Sequence, residues 1–580
     1  MRAALLRPLS LAAALAAIPA AASAGATITI VNGNAPGVGF NDPTPASPVG
    51  GNPGTTLGEQ RLNAFRKAAE IWGSTLDSRA EIKVCATFEP LSCTSTAATL
   101  GSAGPTQIFR DFPVPGYTPA PFPETWYHSA LTARLYGEAV AEPVPCGAIG
   151  DVPADIRARF NSSLGATGCL TGSGWYLGLD TATPANRINL VTVLLHEFAH
   201  GLGFSSVTNV STGVMLAGYS DAYSKFYFDL SLDKFRDQMT DDERRLSAIN
   251  PRNVVWTGLQ VSSQVPSVLQ EGTPLLQVTA PASVAGYYAV GAATFGPALT
   301  PAGVSGDVAL ALDAANASGP STTDGCSPIA NAAAVAGRIA LVDRGTCGFV
   351  VKAANVQAAG AIAMIVADNV AGGPPAGLGG TDPSIVIPAV RITLADGNAI
   401  KGALASGPVA ARLSVDLAVR AGASPDGNAL LYTPNPVQLG SSVSHWDTIA
   451  TPNQLMEPAI NADLTHSVKP PQDLTSSQLR DVGWFPDADL DTVPNDGTDR
   501  CPASILDPTV GIGGIDTGVG NPLFPNGCTI SDLVAVCAKD ARTPGAFVSC
   551  VAGLTNQLVA GSVITGAQKG AIESAAARAR

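Results

Sequence analysis

Two histidines four residues apart, with a glutamate directly after the first, are the residues best placed to do chemistry: His196-Glu197-Phe198-Ala199-His200. On a helix, positions i and i+4 share a face, so both imidazoles can reach one tetrahedral metal ion. The carboxylate beside them can take a proton from a water on that ion. The chain holds only 5 histidines in 580 residues, and two of them fall in this pattern. The apolar run Leu190 to Leu195 gives residues 188–203 a buried helical face, and Gly201 and Gly203 suit a helix end followed by a tight turn. A catalytic zinc needs a third protein ligand and an open position. His128 upstream and His445 and His466 downstream are the remaining histidines.

The extended metzincin pattern HExxHxxGxxH places Gly203 correctly but ends on Ser206, a poor zinc ligand. The third ligand must come from elsewhere. Around His445 the chain reads Ser444-His445-Trp446-Asp447, then Asn453-Gln454-Leu455-Met456, then Leu479-Arg480-Asp481-Val482-Gly483-Trp484. Together with His196 to Phe204, these segments resemble leishmanolysin, a metzincin family whose third histidine follows an insertion. The resemblance covers roughly residues 186–206 and 440–486. It implies zinc ligands at His196, His200 and His445, a general base at Glu197 and a methionine turn at Met456. It also implies an α/β metzincin-like catalytic domain that hydrolyses peptide bonds in proteins or peptides. Two features depart from that family: a far longer gap between His200 and His445, and no obvious long propeptide with a cysteine switch. His128 and His466 are expected to be ordinary surface or hydrogen-bonded residues.

The gap has its own texture. From about residue 270 to 430 charge is sparse, and short β-type runs alternate with Gly/Pro turns. Gly337-Arg338-Ile339-Ala340-Leu341-Val342-Asp343-Arg344-Gly345-Thr346-Cys347-Gly348-Phe349, followed by Lys352 to Ala361 and Ala363 to Val366, reads as strand, turn, helix, strand. This stretch resembles a protease-associated (PA) domain, a noncatalytic β-rich module found within or beside protease domains. Such an insert at 272–420 accounts for most of the separation, and Cys326 is placed to bridge Cys347.

Beyond the second catalytic segment, Asp487, Asp489 and Asp491 alternate, and Asp499 follows. Alternating carboxylates can turn oxygens toward one hard cation. The stretch resembles a thrombospondin type 3 repeat, which implies Ca2+, although the spacing after Asp491 is one residue longer than usual and there is a single copy. A solvated acidic linker is the plain alternative.

Composition bounds the rest. The net charge of −13 repels phosphate backbones and disfavours anionic membrane surfaces, so nucleic acid is excluded as a partner. Residues 1–24 carry a secretory signal pattern: Arg2 and Arg7, an apolar core from Leu9 to Ile18, and Ala22-Ser23-Ala24. No later apolar run reaches roughly 18 residues, so stable membrane insertion is not expected. The 10 cysteines lie outside any CxxC pair and read as disulfides between neighbours within each domain. The domains expected are a signal peptide (1–24), a protease domain in two parts (25–271 and 421–486), the PA insert (272–420), a calcium-binding linker (487–505) and a helical module (506–580). The function expected is a secreted zinc endopeptidase, with the periplasm or cell surface as other destinations. Its alternative is a catalytically silent adhesion or binding protein that keeps the scaffold; the intact Glu197 argues against this. A gluzincin-type site with a downstream carboxylate is disfavoured because no NExxSD-like segment follows His200.

Overall fold

A computed structural model describes residues 25–113, 121–461, 463–485 and 499–579. It divides into two compact units, Ala26–Trp484 and a unit formed by the chain from Phe485 onward. The expected signal peptide and Asp487, Asp489 and Asp491 lie outside the described residues.

The first unit begins with strand β1 (Ile28–Asn32) and helix α1 (Leu57–Thr75). The helix is opened by a capping box: the Thr56 hydroxyl accepts from Glu59 N, and Glu59 reaches back to the cap. Its buried stripe, Ala64, Phe65, Ala68, Ala69 and Trp72, follows the helical period. Then come β2 (Ile82–Glu89), β3 (Gly101–Pro105) and β4 (Ile156–Asn161). They form a sheet in the order β1-β2-β4-β3, parallel except for the edge strand β3. Two disulfides cross this region, Cys85–Cys146 and Cys93–Cys169. Their interleaved connectivity corrects the expectation of neighbour pairing: strand pairing, not proximity along the chain, brings these cysteines together.

Helix α2 (Leu190–Leu202) carries the two-histidine motif. Asn189 caps it, its Oδ1 accepting from Val191 N and Thr192 N. Gly203, at φ +133°, ends it. The helix lies so close to the sheet that a Cβ on Gly201 would come within 2.6 Å of the Ile156 side chain. Farther on, Asp241–Ser247 is helical and only partly solvated: Arg244 is buried and donates to the Gly213 and Arg236 carbonyls.

Strand β5 (Val254–Trp256) and helix α3 (Leu259–Val268) lead into the insert. Its strands are β6 (Glu271–Ala280), β7 (Gly286–Ala289), β8 (Gly291–Ala292), β9 (Val304–Leu310), β10 (Ile339–Asp343), β11 (Ala363–Ala367), β12 (Ala389–Ile392) and β13 (Ala410–Arg420). They make one sheet in the order β7-β6-β13-β9-β10-β11-β12-β8, with helices α4 (Phe349–Ala358) and α5 (Leu394–Leu404). Both faces of its centre are apolar: Leu341 and Ile365 face one core, Val342 and Val366 the other. Cys326–Cys347 is formed. The first and last strands pair antiparallel from Glu271↔Arg420 onward, so the insert leaves and rejoins the protein at one place.

The chain returns through β14 (Ala429–Leu430), which pairs with β5, and closes with α6 (Thr475–Asp481). Asp481 accepts from Trp256 Nε1 and from Gln260 N and Val261 N at the start of α3, locking together the segments on either side of the insert. The C-terminal unit is less purely helical than expected. A hairpin, β15 (Thr509–Ile512) and β16 (Ile515–Gly520), precedes α7 (Ile530–Asp540), α8 (Pro544–Ala560) and α9 (Gly566–Arg578). Val510, Ile512, Val519, Ile530, Val551 and Ile572 share its core, and Cys501–Cys528 and Cys537–Cys550 staple it.

Candidate metal centre

Helix α2 is held at three points. Trp72 Nε1 donates to Leu195 O (3.1 Å), Trp484 Nε1 donates to Leu202 O (2.7 Å), and Gly201 seats it on β4. These anchors set which face of the helix meets the cleft, and that face carries His196, Glu197 and His200.

The third imidazole arrives on the far side of the insert. His196, His200 and His445 offer nitrogens that all lie within 4.8 Å of one another. His196 Nε2 and His445 Nε2 are 3.2 Å apart. Each ring presents its Nδ1 to a backbone carbonyl: His196 to Leu455 O (2.7 Å), His200 to Phe204 O (2.8 Å) and His445 to Ser441 O (2.7 Å). With Nδ1–H donating, the lone pair of each ring sits on Nε2. Burial pushes the His196 pKa down to about 3 and the His200 pKa to about 4, and holds that of His445 well below its ordinary value. Three neutral imidazoles thus aim unshared pairs at one point. Two lone pairs facing each other at 3.2 Å repel unless a cation stands between them. A tetrahedral ion with Zn–N bonds of about 2.0–2.1 Å would set its nitrogens roughly 3.3 Å apart, so the spacing of His196 and His445 and the chemistry of the three imidazoles fit Zn2+.

The remaining ring histidines stand apart from this group. His128 is buried, not at the surface; its Nε2 is 3.4 Å from Ser205 Oγ and its Nδ1 meets no partner. His466 Nε2 lies 3.2 Å from Asn189 Oδ1 at the other end of α2. Ser206, where the compact motif would have its last histidine, gives its hydroxyl to Asp221 (2.8 Å), and its N–H donates to Ser444 Oγ (3.3 Å). The segment carrying His445 therefore comes in beside the position that a short spacing would have filled. Met456 is fully buried, and its carbonyl accepts from Trp446 N (2.8 Å), tying the Leu455-Met456 turn to the segment that carries His445. Trp446 packs edge-on against Phe204 at 5.0 Å and against Trp256 at 6.4 Å, a wall of rings behind His445.

A cleft of about 800 Å³ opens over the three histidines. Its walls are residues 97–103, the loop 439–445 and Pro458-Ala459-Ile460. Glu197 is partly exposed to it, and Glu197 Oε2 accepts from Ala103 N (2.9 Å). Burial pushes the Glu197 carboxyl up to about 7, against the lowering effect of that bond. A cation held by the imidazoles would pull it down again. Ala103 N thus points away from the β3–β4 ladder and is taken up by Glu197, and β3 is the edge strand that borders the cleft. Among the described lining residues Glu197 is the one carboxylate and Arg236 the one guanidinium. Arg236 is fully buried, lies 4.6 Å from the Tyr227 ring centre, and finds no hydrogen-bond acceptor for its three nitrogens. Sequence reading missed Ala103 and Arg236, which carry no motif, and the three carbonyls that orient the rings. Asp499 accepts from Cys501 N (2.7 Å), so its described contact is a turn at the first cysteine of the C-terminal staple.

Comparison with known proteins identifies one part of the chain. Residues 304–400 match the PA domain family. The probable lipoprotein aminopeptidase LpqL of Mycobacterium tuberculosis is 36% identical over 91 residues, 16% of this chain and 18% of that protein. The ER degradation-enhancing alpha-mannosidase-like protein 3 of Xenopus laevis is 41% identical over 88 residues, 14% of this chain and 10% of its own length. The minor extracellular protease Vpr of Bacillus subtilis is 38% identical over 71 residues, 12% of this chain and 8% of its own. The chain thus spans less than a fifth of these curated relatives, whose names describe different reactions, so the shared segment does not itself designate one. Among solved structures, a zinc aminopeptidase from Bacillus subtilis overlaps 27% of this chain and 36% of its own at 22% identity, with a TM-score of 0.19. At residues 304–400, between the helix of His196 and the loop that carries His445, the chain carries a PA domain.

Proposed function

We propose that this protein is a zinc-dependent endopeptidase of the leishmanolysin-like metzincin kind, with its catalytic domain split by the PA insert. The observation that carries the reading is the convergence of three neutral imidazole Nε2 atoms at the floor of an open cleft, with Glu197 beside them. When bound, Zn2+ would supply Lewis acidity to a carbonyl oxygen and lower the pKa of a water toward about 7. His196, His200 and His445 would hold the ion. Glu197, fixed through Oε2 by Ala103 N, takes the water proton and later gives it to the leaving amine. Outward carbonyls of the edge strand β3 can accept from the N–H groups of an extended peptide, which brings a main-chain carbonyl over the histidines. The cleft favours internal cleavage over removal of N-terminal residues. Apart from Glu197, no carboxylate lines it among the described residues, so a free amino terminus finds no dedicated carboxylate partner there.

The five disulfides suit an oxidising compartment and support export, in line with the signal pattern of residues 1–24. The acidic segment, Asp487, Asp489, Asp491 and Asp499, is proposed to bind Ca2+. No described helix is long and apolar enough to cross a membrane. The test is metal analysis of the exported protein together with casein and peptide-library digestion, with and without a chelator. One zinc per chain and chelator-sensitive internal cleavage support the reading. A zinc-loaded protein that cleaves nothing points to the silent adhesion scaffold.

A further inference from the structure

We propose that the PA insert is a strut for the cleft: through Gly373 and Val290 it grips the loop 432–445 that walls the cleft and carries His445. An insert whose ends meet at Glu271 and Arg420 could be a passive spacer, since it adds length without moving its neighbours. The contacts away from those ends say otherwise.

The loop is closed at its base by Tyr432 N donating to His445 O (2.8 Å) and Val443 N donating to Tyr432 O (2.7 Å). Its tip, Leu439 to Ser442, lines the cleft, and its return arm delivers His445. Val443 sits at φ +77°, a conformation that a β-branched residue resists and that persists only when the surroundings impose it. The Tyr223 hydroxyl helps by donating to Val443 O (2.8 Å). The outbound arm is where the insert takes hold. Gly373, in the connection between β11 and β12, forms a two-bond antiparallel bridge with Asn435: Gly373 N donates to Asn435 O (2.8 Å) and Asn435 N to Gly373 O (2.6 Å). The approach is close enough that a Cβ on Gly372, itself at φ +127°, would lie 1.9 Å from Asn435 O.

A second grip runs through the turn before β5. Arg252 Nη2 donates to Val290 O (3.1 Å), a residue in the buried core of the insert. Two residues earlier, Asn250 O accepts from the Thr433 hydroxyl (2.8 Å) on the outbound arm. The arm from 433 to 435 is thus tied to the insert directly at Gly373 and indirectly through residues 250–252.

The test compares Gly372→Ala, which forces a Cβ into the Asn435 carbonyl, with Gly379→Ala, on the same connection but in open space. Arg252→Met breaks the second grip from the catalytic side and covers the case in which Gly372→Ala unfolds the insert. Hydrogen exchange of residues 436–444 should quicken about tenfold or more in Gly372→Ala and Arg252→Met and stay at the wild-type rate in Gly379→Ala. KM for a quenched peptide should rise severalfold at matched zinc content, because the wall is loosened. The kinetic readout rests on the peptidase reading, and the exchange readout does not. A chain that cleaves no peptide yet shows the exchange pattern sinks that reading and leaves the strut standing. Faster exchange confined to residues 368–376, with 436–444 and KM unchanged, would overturn the strut.

Discussion

Glu197→Gln isolates the proposed base from everything else the site does. The glutamine side chain has the same length, and its amide oxygen can still accept from Ala103 N, now at 2.9 Å from Glu197 Oε2. No ring is touched, and the three carbonyls that orient the imidazoles belong to Leu455, Phe204 and Ser441. Zinc content should therefore stay near one per chain. What is lost is the ability to hold a proton. A positioned general base contributes about 10² to 10⁴ in rate, or about 3–5 kcal/mol of transition-state stabilisation. The assay is hydrolysis of a quenched peptide by wild type and variant at matched zinc content, with a chelator blank to subtract other proteases. Glu197→Asp adds a graded control, because its carboxylate is withdrawn by one methylene from both Ala103 and the cleft; it should fall between the two. Turnover of the zinc-loaded Glu197→Gln protein within about threefold of wild type would refute the assignment, because no general base worth about 10² could then have been removed.

His445→Ala should lower zinc affinity by more than about 100-fold, beyond the 10–100-fold typical of changes behind the ligands, while His466→Ala keeps zinc and activity; a metal-competition titration reads both. Burial holds the His128 pKa at about 4, below its unfolded value of 6.5, so the folded state binds fewer protons between those limits. Its contribution is fully present above pH 6.5 and is lost as pH falls toward 4, at about 1.4 kcal/mol per unit. Urea denaturation of the zinc-loaded protein across that range should show a shallower pH dependence for His128→Leu, and an identical slope would count against it. Calcium should raise the melting temperature or slow proteolysis near residue 490, and the triple change of Asp487, Asp489 and Asp491 to Ala should abolish the response.

Local chemistry was legible where the pattern is local. The period of Phe65, Ala68 and Trp72 marks α1, and the strand-turn-helix-strand of 339–367 marks the insert, because burial on one face leaves its signature within a dozen residues. His445 stood out by its neighbours Ser444 and Trp446 rather than by spacing, which the insert had stretched beyond use. Contacts between distant segments were not legible. Nothing near Asn435 announces that Gly373 will pair with it, and nothing near Ala103 announces a carboxylate partner. Arg244 belongs to a charge run, Asp241 to Arg245, of the kind that usually faces solvent; its carbonyl partners come from Gly213 and Arg236, which no helical period could supply. The hairpin of the C-terminal unit hid in glycine-rich sequence for the same reason.

The interleaved disulfides bear on how this protein can be made. The nearest partner of Cys85 along the chain is Cys93, and closing that short loop costs roughly 2 kcal/mol less entropy than closing the native span of 61 residues. Oxidation without reshuffling therefore favours a wrong bridge. Both native loops enclose residues 101–105, so a mispaired chain would displace the very strand that borders the cleft. Active material should come from hosts that route the chain past a disulfide isomerase. Material oxidised quickly in a test tube should bind less zinc, for a reason that none of the three histidines explains.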